Sequence, residues 1–124
     1  MPVFPCWSRH SRLSEAEFRS LVSRSRVLVY FSEYEGFGMP PVEAAMVSTA
    51  PVFSDIPVMR EVMGEAGFPF ANHSYDSFRA AMDAALVCPA EVVDGWAVAL
   101  VQRHNWCAVG SRVIEALHRV PNPV

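Results

Sequence analysis

Apolar positions along this chain fall into short blocks, and their spacing changes from block to block. Between Ser14 and about Arg24, Phe18, Leu21 and Val22 line one side of a helix. Ser14 can cap that helix, and Glu17, three residues on, completes a capping box. Arg26 to Phe31 is β-branched and apolar without alternation, the pattern of a strand covered on both faces. A second helix is expected from Pro40 or Pro41 to near Ser48, since proline suits a first helical turn. Ala50 to Phe53 reads as a second strand. Asp55-Ile56-Pro57 turns into a short helix running to Val62 and stopped by Gly64. Gly67-Phe68-Pro69-Phe70 reads as a third strand, with edge character because Pro69 cannot donate to a ladder.

Three helices follow. Phe78, Ala81, Met82, Ala85 and Leu86 repeat at helical spacing, as do Val93, Trp96, Ala97, Leu100 and Val101. Trp106, Val109, Val113, Leu117 and Val120 give a looser version, ended by Pro121. Strands alternating with helices predict an α/β fold: a partial, Rossmann-like parallel sheet of about three strands with flanking helices. Residues 1–11 read as an N-terminal extension and 12–120 as one domain. Ligands on such a sheet bind beyond the carboxyl ends of the strands. The loops after the first and second strands, holding Glu35 and Asp55, are therefore expected to open onto one edge.

Composition narrows the function. The chain has 124 residues, 52% of them hydrophobic, enough for one buried core. Its net charge is −3, and all ten cationic residues are arginine. A weakly acidic chain without a basic stripe argues against nucleic acid as a partner. Cys6, Cys88 and Cys107 form no Cys-x-x-Cys pair and read as free, buried thiols in a reducing compartment. No secretory leader and no membrane-length apolar run is recognised, so a cytoplasmic location is expected. His10, His73, His104 and His118 have no metal spacing, and surface or capping roles are expected for them. No metal and no cofactor is expected.

The chemistry concentrates in Glu35-Gly36-Phe37-Gly38-Met39-Pro40-Pro41-Val42-Glu43. Strand, glycine turn and helix N-terminus follow one another there, a place where backbone N–H groups point at an anion. Glu35 and Glu43, with seven residues between them, add acceptors suited to sugar hydroxyls. Glu43 is expected in the first turn of the helix, where its charge also favours the helix dipole. Glu61 could pair with Arg60 or cap a turn.

This segment resembles the glutamate-seven-residues-glutamate motif of retaining glycosyltransferases of the GT-B fold. It is most like the large group containing sucrose-phosphate synthases and bacterial mannosyl transferases. Leu13 to Leu21 resembles the helix before the motif strand. Ala50-Pro51-Val52-Phe53-Ser54-Asp55 resembles the next strand, Met59-Arg60-Glu61-Val62 a loop ending in Glu-Val, and Asn105-Trp106 the step before the last helix. Roughly residues 12 to 119 take part.

The resemblance implies that Glu35 is the catalytic carboxylate against the donor sugar. It implies that Gly36, Phe37, Gly38 and Met39 bind the donor through backbone N–H groups, and that Glu43 accepts from the ribose hydroxyls. It implies a nucleotide sugar as substrate, with transfer to a glycan or lipid-linked acceptor and weak membrane association through that acceptor. The chain departs from the family pattern in having no lysine and no glycine-rich strand end carrying the cations that neutralise the diphosphate. Arg9 and Arg12 could substitute. The expectation is a donor half lacking the first βα units of its domain. Such a half would be inactive alone and completed by an acceptor-domain subunit or a homo-oligomer. The alternative is a non-catalytic domain that binds sugar nucleotide or a partner protein.

Overall fold

The computed structural model describes residues 7–119. The order of elements is α1 (Glu15–Ser23), β1 (Val27–Tyr30), α2 (Met39–Met46), β2 (Ala50–Ser54), α3 (Pro57–Met63) and β3 (Phe68–Phe70). Three helices close the chain: α4 (Tyr75–Val87), α5 (Ala90–His104) and α6 (Trp106–Arg119). The strands form one parallel sheet in the order β1-β2-β3. This is an α/β domain with a partial Rossmann-like sheet, as the alternation of strands and helices predicts. Residues 7–14 carry no helix or strand. The end of the Trp106 stripe, Val120, lies outside the described residues.

Local signals fix the element ends. The Ser14 hydroxyl accepts from the Glu17 N–H at 3.2 Å, and the Glu17 carboxylate accepts from the Ser14 N–H at 2.7 Å. This is the predicted capping box, and the Ser14 amide is the main reason the Glu17 carboxyl titrates below its usual range. Gly64 ends α3 in a backbone conformation with φ of 58°. Arg26 wraps the carboxyl end of α4, donating to the carbonyls of Leu86 and Cys88. Met59 to Val62, likened above to a loop, are helical, in agreement with the turn-then-helix pattern of Asp55 to Gly64.

The core lies around β2, every residue of which is buried. Val52, Phe53, Met59, Val62, Phe70, Ala85 and Leu100 make its centre. Helix α4 packs on all three strands, and α2 packs on β1, β2 and α5. Thr49, fully buried, donates its hydroxyl to Val22 O at 2.6 Å, so α1 is fastened to the domain without an unpaired polar group.

Three expectations about burial fail. Strand β1 pairs only with β2, and Val29 and Phe31 are exposed rather than covered on both faces. The apolar stripe of α6 has no cover among the described residues either: Trp106 is 88% and Leu117 65% exposed. Of the cysteines, Cys88 is buried but Cys107 is exposed; Cys6 lies outside the described residues. No single described helix is long and apolar enough to cross a membrane.

Candidate functional site

The site is assembled at the carboxyl ends of the parallel strands, where three loops meet. The loop after β1 is tied to the other two by hydrogen bonds. The Ser32 N–H donates to Ser54 Oγ at the end of β2 at 2.9 Å. Asn72 Nδ2, in the loop after β3, donates to Ser32 O at 2.9 Å. The amide oxygen of Asn72, Oδ1, is buried with no partner among the described residues. On the rim, His73 Nε2 lies 3.3 Å from a Glu33 carboxylate oxygen, and both side chains are exposed. The predicted common edge for the first and second strand loops is thus real, and the third loop joins it.

Glu35 lies on the loop after β1 and is partly buried. Its Oε1 accepts from the Tyr30 hydroxyl at 2.5 Å and from Ser32 Oγ at 3.2 Å. Its Oε2 accepts nothing from the described residues and is not buried. Burial first, and the Glu35 carboxylate second, push the Tyr30 phenol up to about 12, so it stays a donor across the neutral range.

Gly36 and Gly38 differ. A Cβ at Gly36 would meet nothing within 4 Å, so the fold itself does not require glycine there. Gly38 is the N-cap of α2 with φ of 80°, and a Cβ there would lie 2.3 Å from Met59 Sδ. Phe37 is half-exposed and packs edge-to-face on His104, with ring centroids 5.3 Å apart. His104 Nε2 lies 2.7 Å from Val62 O at the end of α3. That is the capping role expected for a histidine here, extended to support of the motif loop.

The helix N-terminus is a narrower anion site than expected. Pro40 and Pro41 take the second and third helical positions and have no N–H, and Gly38 supplies no side-chain cap. The free donors of this helix start are therefore Gly38 and Met39. Glu43 is the fifth residue of α2, not in its first turn, which holds no acidic side chain. The favourable dipole expected for Glu43 is lost, because that effect fades beyond the first turn. Glu43 instead lines a groove of about 250 Å³ between α1 and α2, with Phe18, Arg19, Val22 and Met46.

At the end of β2, Asp55 takes a two-pronged contact from Arg60, at 2.5 and 2.8 Å. That hydrogen bonding, opposed by partial burial, holds the Asp55 carboxyl below its ordinary range. Arg60 is thus committed to Asp55 and not to Glu61, whose carbonyl accepts from Arg103. Arg9 and Arg12 are exposed, before α1, and make no described contact with the motif loop.

A three-loop rim with one tethered carboxylate and a glycine turn opening a helix lies at the carboxyl ends of the strands, where open α/β sheets bind their ligands. Residues 10–96 match the family Glycosyl transferases group 1, and the chain belongs to that family. Among curated proteins, the O-antigen chain mannosyltransferase RfbU of Salmonella typhimurium is 49% identical over 47 residues, 38% of this chain and 13% of that protein. The serotype-specific mannosyltransferase WbdA of Escherichia coli is 36% identical over 62 residues, 50% of this chain and 8% of its own. The GDP-mannose:cellobiosyl-diphosphopolyprenol alpha-mannosyltransferase of Xanthomonas oryzae pv. oryzae is 28% identical over 111 residues, 85% of this chain and 29% of its own. The chain thus spans less than a third of the length of these relatives.

Sequence reasoning located the loop but not what holds it. Tyr30, Ser32, Ser54, Asn72 and His104 were not expected at the site. Only Tyr30 had a visible signal, a polar tip at the end of an otherwise apolar strand beside the motif. Ser32 lies three residues before Glu35, whereas Ser54, Asn72 and His104 meet the motif segment only through tertiary contacts, with Ser32, Ser32 and Phe37 respectively.

Proposed function

We propose that this chain provides the donor side of a retaining glycosyltransferase, binding a nucleotide-activated sugar for transfer to a glycan or lipid-linked acceptor. The observation that carries the reading is Glu35 on the loop after β1, with one carboxylate oxygen tethered and the other open. In this role Glu35 faces the sugar, and stabilises positive charge developing at the reacting carbon. The amides of Gly36 to Met39 bind hydroxyls and the distal phosphate, and Glu43 accepts from the ribose. The open space at Gly36 suits close approach of a ligand to the backbone. A mannosyl donor is the first choice, because relatives similar to this chain are named as mannosyltransferases.

Arg60 is occupied by Asp55, and Arg9 and Arg12 make no described contact with the loop. Leaving-group stabilisation is a large catalytic term. The residues described here therefore bind donor without turning it over, and an acceptor-side domain or subunit completes the enzyme. Amide NMR with GDP and GDP-mannose tests the reading. Shifts at Gly36, Gly38 and Met39 that weaken in Glu43→Ala are expected. Undisturbed resonances at millimolar nucleotide would refute it and leave the partner-binding alternative.

A further inference from the structure

We propose that Tyr30 is the positioning residue of this site: with Ser32 it holds Glu35 by Oε1, so that Oε2 is presented to the donor sugar. The inference rests on the donor-site reading above and assigns a role to a residue that lies outside the glutamate motif.

The geometry is one-sided. Both donors reach the same carboxylate oxygen, at 2.5 Å from Tyr30 and 3.2 Å from Ser32. A glutamate side chain left free in a loop samples many rotamers, and ordering it costs about 1–2 kcal/mol. Here that cost is met during folding, so a ligand meets a carboxylate already in place. The tether is anchored in turn. Tyr30 is the last residue of β1, paired in register with Phe53 at the centre of the core. Its ring is partly buried against the core, and a Cβ built on Gly38 would lie 3.8 Å from it. One side chain therefore spans the loop from Glu35 to the N-cap of α2.

The two donors are not equal. Ser32 has one hydroxyl proton and two acceptors, Glu35 Oε1 and Tyr34 O at 3.0 Å. Tyr30 has a single described acceptor at a shorter distance, so it carries the larger share. Its phenol stays protonated wherever a glycosyltransferase works, because burial and the Glu35 charge both raise it.

Calorimetric titration of the full chain with GDP and with GDP-mannose tests the assignment. Tyr30→Phe removes one hydroxyl and keeps the ring. It is expected to lower GDP-mannose affinity about tenfold, the worth of one hydrogen bond to a charged group, and to leave GDP affinity in place. Ser32→Ala should do the same to a smaller extent. Glu35→Gln should lose the sugar increment, and adding Tyr30→Phe to it should cost nothing more.

Full sugar affinity in Tyr30→Phe, with Glu35→Gln impaired, overturns the proposal. So does equal loss of GDP and GDP-mannose binding in Tyr30→Phe, which marks a merely structural role. If the wild-type chain binds neither nucleotide, the donor-site reading fails and the tether is still decided. The side-chain carboxyl carbon of Glu35, followed by NMR without ligand, shifts in Tyr30→Phe if the tether exists and stays put if it does not.

Discussion

Val29 and Val52 are direct partners in the sheet, on the same face and one strand apart. Val29 is 44% exposed and Val52 fully buried. Their strands invert the order that hydropathy would give. Val27-Leu28-Val29-Tyr30 is the more apolar run, yet β2, which includes Pro51 and Ser54, has every residue buried. A strand's composition states its preference for burial; the neighbours available on each side decide whether that preference is met. In this domain β2 lies at the centre of the core, and β1, half covered, leads into the loop that holds Glu35.

Three changes sharpen that division, beginning with the largest expected effect. Gly38→Ala strikes the junction of loop and core. A left-handed backbone without glycine and a clash with buried Met59 together should cost about 2–4 kcal/mol in denaturant unfolding. Gly36→Ala, with open space around it, should leave the unfolding midpoint unchanged. Equal effects at the two glycines would mean that the loop relaxes freely and is not braced by Met59.

The paired valines give the direct comparison. Val52→Thr buries a hydroxyl among apolar atoms and should destabilise by about 1–3 kcal/mol. Val29→Thr should stay within about 0.5 kcal/mol of wild type, since its side chain already meets solvent. A large loss from Val29→Thr would show that β1 is covered in solution, by a second copy or a partner. Sedimentation of wild type and variant would tell these apart.

The smallest effect is a pH dependence at the end of β2. Arg60 holds the Asp55 carboxyl below its ordinary value of 3.8 in the folded protein. A depressed carboxyl contributes stability that is present above the unfolded value and lost as pH falls through the folded one. Acidification from neutral pH to below 3.8 should therefore cost the wild type slightly more stability than Asp55→Asn. The pair is partly exposed, so the difference should shrink further in high salt. Parallel acid limbs for the two proteins would remove Asp55 from the account of stability.

Much of this architecture was legible in advance, for local reasons. Ser14 with Glu17, Gly64 after α3 and the proline pair at α2 are signals read within a few residues. The three parallel strands followed from alternation of element types. The failures share a different cause. Glu43 slipped out of the first turn because α2 begins at Met39, one residue before the prolines that mark it in sequence. The stripe on α6 is a true amphipathic pattern, but a pattern names a face and not what covers it.

The sequence by itself determined the order of elements, the helix caps, the strand–glycine–helix motif and the family to which the chain belongs. Each is encoded by residues adjacent in the chain, where propensity and steric rules act directly. The tertiary structure alone decided that Glu43 faces α1. It also decided that Glu35 is held by Tyr30 and Ser32, on a loop that Ser54 and Asn72 anchor from other strands. The ties to Ser54 and Asn72 depend on which groups meet between strands, and hydrogen bonding between distant residues has no local signature. The hold of Tyr30 and Ser32 on Glu35 depends on the conformation of the turn they share.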